Sequence, residues 1–344
     1  MKIAIHKGDG DFSTNWIKYC DNNLIPYKVV NAYDSDIIEQ IADCDAFMWH
    51  HNHGNYRDLL FAKELLAAVE ACGKVVFPNH DSGWHFDDKV GEKYLFEALG
   101  LNAVPAYVFY DKETAEAWAN STSYPKVFKL RGGAGAMNVM LVKSRSHAHK
   151  IIGRCFGRGF KVFRPMDYLK DRYNKWREGQ DTLLGVIKAI GRFIFLPKDT
   201  KLHQVQKGYA YFQEFMPNNE YDTRVVVIAG KYAMAEKRYV RKGDFRASGS
   251  GKFDYSNIDT NIIKAAFDAA KLIKAQSIAF DFIYDDNRQG KIVETSYCFG
   301  THGISNAPGF WSVDMQWHPT DKPINLWGWM VECVINELKQ KPNN

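Results

Sequence analysis

Short apolar runs alternate with helical patterns along the first 80 residues of the chain. The apolar runs predict strands at residues 2–5, 27–31, 46–49 and 75–77, and the amphipathic stretches between them predict helices at 13–20, 35–41 and 58–72. Strands that alternate with helices form parallel sheets with right-handed crossovers. We therefore predict a small open α/β domain, with Ser13 as the cap of its first helix.

Ligands of open parallel sheets bind beyond the carboxyl ends of the strands. The segments that follow the first and third predicted strands are residues 8–13, with two glycines and two aspartates, and residues 50–54, with three histidines. We take both as candidate substrate loops. The histidines could hold a metal, but adjacent histidines point in different directions in most backbone conformations, so we favour polar contact with a substrate.

The pattern between residues 277 and 297 predicts a β-hairpin. An apolar run at 278–284 is broken by a polar turn and resumes at 291–297, and Asp281 and Glu294 interrupt the two runs. A buried ionised carboxylate is costly unless it is paired or bound to a metal, so the two acids predict a cation. Two hard oxygen ligands suit Mg²⁺. The alternative, which is commoner for a single acid, is a charge on the solvated face of each strand.

A strand, a glycine-rich loop and a second strand are predicted between residues 124 and 142. Lys129 ends the apolar part of the first strand, and the loop at 131–136 contains three glycines. Glycine lets the backbone approach a phosphate closely, so this loop is a candidate phosphate flap, with an ordinary hairpin turn as the alternative. Its spacing is neither a Walker loop nor a Rossmann fingerprint. Lys89, at the start of a helix that ends at Gly100, is a second cation suited to phosphate.

Strands dominate the pattern from residue 209 onward. We predict strands at 210–215, 218–228 and 231–238, a loop rich in cations and glycine at 241–251, and a helix at 260–275 that leads into the hairpin. In this arrangement the two hairpin acids face four more charged residues, Glu236, Lys237, Arg238 and Arg246.

Composition fits a globular protein with sizeable cores. The 344 residues are 46% hydrophobic and 14% aromatic, enough for two or three domains. The six cysteines form no Cys-x-x-Cys pair, and we find neither a secretory leader nor a membrane-spanning run. We expect a reduced, cytoplasmic protein that is not an integral membrane protein and has no structural disulfide or cysteine-bound zinc.

Positive charge is concentrated in one segment. Residues 143–207 hold sixteen Lys or Arg against five Asp or Glu in a chain of net charge +5, so the remainder is net negative. Aromatic residues are interleaved with these cations. The segment is either a helical insertion with solvated charges, which we favour, or a docking surface for an anionic lipid, a polyanionic glycan or nucleic acid. We do not expect nucleic acid as the partner.

The order of these signals resembles the ATP-grasp superfamily, in particular its branch of ribosomal-protein glutamate ligases and glutathione-synthetase-like enzymes. Between residues 86 and 296 the signals are Asp-Lys before a helix, an apolar strand ending in Lys, a glycine flap, Gln-Glu-Phe, Asp-x-Arg-Val, Gly-Asp-Phe-Arg, and Asp and Glu on paired strands. Residues 84–89 and 128–133 are also similar to uncharacterised ATP-grasp proteins of surface polysaccharide loci.

The resemblance implies an α/β (α+β) fold class, namely an ATP-grasp fold with an N-terminal open α/β domain of the Rossmann-like, pre-ATP-grasp type. Residues 1–84 would form this N-terminal domain. Residues 85–208 would form the first ATP-grasp subdomain, with the basic helical insertion at 144–207, and residues 209–344 would form the C-terminal subdomain with the metal site.

The resemblance also implies roles for individual residues. The phosphates of ATP would contact Lys89, Lys129 and the flap glycines Gly132, Gly133 and Gly135. Adenine would bind the backbone of Gln213, Glu214 and Phe215, with the ribose near Asp222 or Glu220. The transferred phosphate and the acyl group would be held by Arg238 and Arg246, and Mg²⁺ by Asp281, Glu294 and Ser296.

The implied activity is an ADP-forming ligase that joins a carboxylate to an amine through an acyl phosphate, with an amino acid and a sugar or glycan precursor as the expected substrates. One position departs from the family pattern, because Ser296 replaces the usual asparagine of Glu-x-Asn. A serine offers a shorter, neutral oxygen, which leaves either one or two Mg²⁺ ions. The alternatives are a kinase of the same fold that phosphorylates a hydroxyl, or a pseudoenzyme that only binds nucleotide.

Overall fold

The computed structural model describes residues 1–8, 12–132, 138–162, 165–177, 182–192, 202–240, 245–247 and 253–341. Its first sheet contains strands β1 (Ile3–His6), β2 (Tyr27–Val30), β3 (Ala46–Met48) and β4 (Val75–Phe77). These strands are parallel, in the order β2-β1-β3-β4. The helices between them are α1 (Ser13–Asn22), α2 (Ile37–Gln40) and α3 (Tyr56–Ala71). The predicted open α/β domain is confirmed.

The start of α1 differs from the prediction. Phe12 is the N-cap residue and makes no side-chain cap, whereas Ser13 is the first helical residue. Ser13 Oγ instead accepts a hydrogen bond of 3.1 Å from the Gly8 backbone N–H. A capping serine lies outside the helix with extended torsions, so the prediction that Ser13 caps α1 is wrong.

A four-stranded antiparallel sheet follows. Two helices lead into it, α4 (His80–Gly83) and α5 (Lys89–Ala98). Its strands are β5 (Ala106–Phe109), β6 (Lys126–Lys129), β7 (Met140–Val142) and β8 (Ala210–Glu214), in the order β5-β8-β6-β7. The helices that connect these strands are α6 (Lys112–Ser121), α7 (Arg145–Cys155), α8 (Pro165–Arg177) and α9 (Leu183–Gly191). Strands β6 and β7 pair antiparallel, as predicted for the flap.

The largest sheet occupies the C-terminal part of the chain. Its strands are β9 (Tyr221–Ile228), β10 (Tyr232–Tyr239), β11 (Phe253–Asp254), β12 (Ser277–Tyr284), β13 (Gly290–Ser296), β14 (Gly309–Ser312) and β15 (Trp317–Pro319). They follow the order β13-β12-β9-β10-β14-β15, with β11 paired to β10. The helices are α10 (Thr260–Ile273), α11 (His302–Ser305) and α12 (Leu326–Gln340). The hairpin predicted at 277–297 is β12 and β13.

One hydrophobic core joins the N-terminal domain to the largest sheet. It contains Trp16 of α1, Val226 of β9, Met234 of β10 and Met330 of α12, all fully buried. Helix α12 contacts α1, β4 and β9, so the last helix of the chain lies between the first domain and the last sheet. The predicted domain boundaries after residues 84 and 208 remain predictions. None of the described helices combines the length and the apolar character that a membrane span requires.

We expect Leu326→Ala to destabilise the N-terminal domain and the largest sheet together. Leu326 is fully buried in their shared core, and removing a buried leucine side chain costs about 2–5 kcal/mol. Urea denaturation, followed by tryptophan fluorescence, measures the shift. Leu24→Ala is the control, because Leu24 is 90% exposed and its truncation changes stability by less than about 0.5 kcal/mol. A separate early transition of the N-terminal domain would contradict a shared core.

Candidate functional site

A cavity of about 370 Å³ lies between the four-stranded sheet and the largest sheet. Its volume is typical of small-molecule sites. Ten predicted site residues line it: Lys89, Lys129, Gln213, Glu214, Phe215, Asp222, Arg238, Arg246, Asp281 and Glu294. The fold thus brings distant parts of the sequence to one cleft. A larger cavity of about 460 Å³, bordered by α10 and α12, contains none of them.

Two described residues that we predicted for the site, Gly132 and Ser296, do not line this cleft. Gly132 lies beside Asp87, whose Oδ2 would be 3.1 Å from an added Cβ. Ser296 Oγ donates a hydrogen bond of 3.0 Å to the Cys298 carbonyl. Gly133 and Gly135 lie outside the described residues. The expected roles of these four residues remain predictions.

A row of charged side chains crosses four strands of the largest sheet. Arg224 on β9 is paired with Glu236 on β10 and with Asp281 on β12, and Asp281 is paired in turn with Glu294 on β13. Residues that are paired across neighbouring strands share a face of the sheet, so these four side chains lie side by side. Two acids of this row, Asp281 and Glu294, line one end of the cleft, and we call these two residues the acid row.

Two arginines hold Asp281. Arg224 donates through Nε to Oδ1 at 2.8 Å and through Nη2 to Oδ2 at 3.0 Å, and Arg238 Nη2 lies 2.7 Å from Oδ2. Burial alone would raise the pKa of this carboxyl, but Arg224 and Arg238 outweigh burial and hold the pKa below its ordinary value. Asp281 is therefore an anion at neutral pH.

Arg238 also pairs with Asp222, which lies directly opposite it on β9. Its Nε and Nη2 donate to the two carboxylate oxygens at 2.7 and 2.6 Å. Burial raises the pKa of Asp222 to about 6, against the opposing effect of Arg238. Arg238 thus bridges two buried acids, which fixes its guanidinium in the cleft.

Lys89 links helix α5 to the acid row. Its Nζ lies 2.9 Å from Glu92 Oε1 and 3.2 Å from Glu294 Oε2. Burial opposes the charge on Lys89, but Glu294 and Glu92 raise its pKa above the ordinary value. Burial raises the pKa of Glu92 to about 7, against Lys89. A multiply charged anion entering the cleft would therefore meet a cation that is already in place.

Lys129 at the end of β6 is the second buried cation beside Glu294. Burial lowers its pKa, and Glu294 opposes that effect. The residues that follow it are tied to α5, because the Lys89 backbone N–H donates to the Arg131 carbonyl at 2.8 Å. Arg131 also forms an ion pair with Asp88, the N-cap of α5. These contacts hold Lys89 and Lys129 on the same side of the cleft.

The other end of the cleft is apolar and lies beside β8. Its walls include Val127, Val139, Ile283 and Val293, next to Phe215 and Met216. Gln213 Nε2 donates to the Val293 carbonyl at 3.2 Å and so connects the two sheets. A narrow apolar space beside exposed strand-end backbone suits a flat aromatic ring.

Arg224 and Glu92 are the charged residues of the site that our sequence analysis did not assign. Both were detectable, since Arg224 lies two positions after Asp222 on one strand face and Glu92 lies one helical turn after Lys89. The expectation that Lys237 faces the hairpin acids is wrong. Its Nζ lies 4.9 Å from the Tyr221 ring centroid, and because strand side chains alternate it occupies the face opposite Arg238.

Asp281 and Glu294 are the described acids that would hold hydrated Mg²⁺, and Asp281 would share its oxygens with Arg224 and Arg238. Asp281 and Glu294 provide adjacent carboxylates, and Mg²⁺ commonly takes one or two protein carboxylates together with phosphate oxygens and water. The described residues contain no cluster of three or more metal-binding side chains. Ser296 Oγ donates to the Cys298 carbonyl, and its expected role as a metal ligand remains a prediction.

Two antiparallel sheets that enclose a cation-rich cleft beside an open α/β domain define an ATP-grasp fold. Residues 184–313 match the family model described as the RimK-like ATP-grasp domain. This part of the chain is similar to RimK-like ATP-grasp domains. The matched residues include Gln213, Arg238, Asp281 and Glu294, whereas Lys89 and Lys129 precede them.

Solved structures agree on the fold at low sequence identity. D-cycloserine synthetase DcsG has a TM-score of 0.61 at 10% identity, with 98% of this chain and 100% of that chain covered. A RimK-domain ATP-grasp protein from Sphaerobacter thermophilus has a TM-score of 0.60 at 12% identity, covering 97% and 100%. Biotin carboxylase from Campylobacter jejuni has a TM-score of 0.57 at 14% identity, covering 99% and 72%. No curated protein sequence matches the chain.

Glu236 makes a testable contribution to pH-dependent stability. It is 2% exposed, its Oε2 has no hydrogen-bond partner among the described residues, and burial raises its pKa from 4.5 to about 7. Between these values the folded protein retains a proton that the unfolded chain has released, so stability falls as pH rises. We expect the free energy of unfolding of the wild type, relative to Glu236→Gln, to fall by up to about 3 kcal/mol between about pH 5 and pH 8.

Chemical denaturation at several pH values measures this difference. Glu113→Gln on the exposed surface of α6 is the matched control and should follow the wild type. Parallel pH profiles for the wild type and Glu236→Gln would show that Glu236 does not hold the proton.

Proposed function

We propose that this protein is an ATP-dependent ligase that joins a carboxylate to an amine through an acyl phosphate. The observation that carries the proposal is the contrast between the two ends of the cleft. The end beside β8 is apolar, and the end at the acid row contains both cations and carboxylates. Adenine binds the apolar end on the backbone of residues 213–215, and the ribose lies near Asp222. The triphosphate then extends toward Lys89 and Lys129.

The charged end supplies what phosphoryl transfer needs. Lys89 and Lys129 neutralise the ATP phosphates, and Arg238 and Arg246 orient the γ-phosphate and the acyl group. When Mg²⁺ is bound, Asp281 and Glu294 hold it, and it neutralises charge on the phosphate oxygens. Arg224, which is fixed by Asp281, keeps that carboxylate ionised and in place.

The reaction has two displacements. A carboxylate oxygen of the substrate bonds to the γ-phosphorus while the bond from that phosphorus to the bridging oxygen breaks, and ADP leaves. The amine then bonds to the acyl carbon, loses a proton, and inorganic phosphate leaves. The cleft catalyses both displacements through positioning and charge neutralisation.

An amino acid and a sugar or glycan precursor are our proposed substrates, on the resemblance of residues 84–89 and 128–133 to ATP-grasp proteins of surface polysaccharide loci. The candidate substrate loop at 50–54 supports an acceptor site beside the acid row. Burial lowers the pKa of His53, and Asp87 and Glu294 oppose that effect. We propose a cytoplasmic location, which agrees with six free cysteine thiols.

Nucleotide binding is the first test. We expect ATP to bind with Mg²⁺, and we expect Lys129→Met to weaken binding at least about tenfold because a buried cation facing phosphate is lost. Glu294→Gln should weaken binding only when Mg²⁺ is present. Isothermal titration calorimetry measures both effects, with Lys264→Met on the exposed side of α10 as the control. Equal ATP affinity in the wild type and Lys129→Met would contradict the proposal that the nucleotide binds in this cleft.

The acyl phosphate distinguishes a ligase from the alternatives. With ATP, Mg²⁺ and a panel of carboxylates, hydroxylamine should trap the intermediate as a hydroxamate, with one ADP released for each hydroxamate. Arg238→Gln should abolish trapping, because it removes the cation shared by Asp222 and Asp281. A stable phosphate ester without hydroxamate would identify a kinase, and ATP binding without ADP release would identify a pseudoenzyme.

A further inference from the structure

Helix α9 is packed with its small residues inward and its large residues outward. Its buried positions are Gly185, Val186 and Ala189. Four aliphatic side chains are 55–58% exposed: Leu183, Leu184, Ile187 and Ile190. Their spacing places them on one side of the helix. A surface helix in a globular protein normally shows the opposite arrangement, so within the part of the chain that the structure describes this side of α9 is an uncovered apolar face.

The neighbouring helix α8 adds aromatic residues to this exposed surface. Helices α8 and α9 pack against each other. Along α8 the exposed apolar side chains are Met166, Tyr173 and Trp176, again spaced on one side of the helix. Nine of the 21 exposed large apolar side chains in the described part of the chain lie between residues 166 and 205. We call the exposed apolar side chains of α8 and α9 the apolar surface.

Cations surround the apolar surface. Lys188 follows Ile187 on α9 and is exposed, and Arg177 is exposed at the end of α8. The guanidinium of Arg192 lies 5.0 Å from the Tyr168 ring centroid, at the other end of α9. The whole segment 143–207 carries an excess of eleven positive charges over negative ones. An occupant must therefore accept aliphatic side chains and also carry negative charge.

An anionic lipid surface meets both requirements. Nucleic acid offers negative charge but no apolar phase for four aliphatic side chains. A second copy of this chain would bring the same excess of positive charge against itself. Lipid bilayers accept aliphatic side chains among the headgroups, hold Trp and Tyr at the interface, and attract Lys and Arg through anionic headgroups.

We propose that α8 and α9 dock the protein on an anionic membrane surface. Helix α9 has nine residues, so it lies in the headgroup region and does not span the bilayer. None of the apolar-surface residues lines the cleft between the sheets, so docking is independent of the proposed ligase activity.

Vesicle co-sedimentation of the full chain tests the proposal. The probes are vesicles of phosphatidylcholine with about 30% phosphatidylglycerol and vesicles of phosphatidylcholine alone, at about 50 mM and about 500 mM salt. We expect binding to the anionic vesicles at low salt, and a loss of most binding at high salt or without phosphatidylglycerol.

Two substitutions separate the apolar and electrostatic contributions. Ile187→Asp places a charge in the apolar surface and should weaken vesicle binding at least about tenfold. Lys188→Glu should weaken binding less and reduce its salt dependence. Ile38→Asp on α2 is the matched control, because Ile38 is 54% exposed but lies in the N-terminal domain. Circular dichroism and ATP binding should be unchanged in all three variants.

Three outcomes would overturn the proposal. The first is no binding to anionic vesicles at low salt. The second is vesicle binding that Ile187→Asp leaves unchanged, or that is equally strong on neutral vesicles. The third is that vesicles do not bind, while the chain self-associates in light scattering or binds an acidic protein and Ile187→Asp abolishes that association. Because the variants leave the cleft intact, failure of the ligase proposal would appear separately, in the ATP titration.

Discussion

The buried carboxylate of Asp281 constrains the rest of the site. A buried ionised group without compensation is strongly destabilising, and Asp281 is compensated by Arg224 and Arg238. These partners come from β9 and β10, while Asp281 belongs to β12. A slip of any strand by one residue would turn the charged side chain to the other face and leave a partner unpaired. The ion pairs therefore fix the register of three strands at once.

The alternation of strand side chains gives the largest sheet two different faces. Even-numbered residues of β9 and β10 near the cleft are charged, whereas Val225, Val227 and Ala235 on the other face pack against helix α10. The apolar packing holds the sheet together, and the charged face opens to the cleft. A substitution that shifts the strand register on one face therefore also disrupts the contacts on the other face, since both faces depend on one register.

The cleft also depends on contacts between parts of the chain that are far apart in sequence. Gln213 joins β8 to β13, and Arg131 joins the base of the glycine loop to the start of α5. Helix α12 packs between the N-terminal domain and the largest sheet, and the hydroxyl of Tyr297, which follows β13, donates to the His51 carbonyl in the loop at 50–54. A shared core therefore holds the candidate acceptor loop beside the candidate phosphate site.

The sequence by itself determined the local patterns: the parallel α/β start, the hairpin with Asp281 and Glu294, and the lysines before a helix and at a strand end. These follow from periodicity and from the cost of burying charge, which are local properties. Only the tertiary structure decided that Arg224 holds Asp281, that Ser13 accepts a hydrogen bond from Gly8, that Lys237 faces away from the cleft, and that α9 exposes its aliphatic side. Each of these depends on which strand or helix lies opposite, and a sequence pattern does not specify that partner.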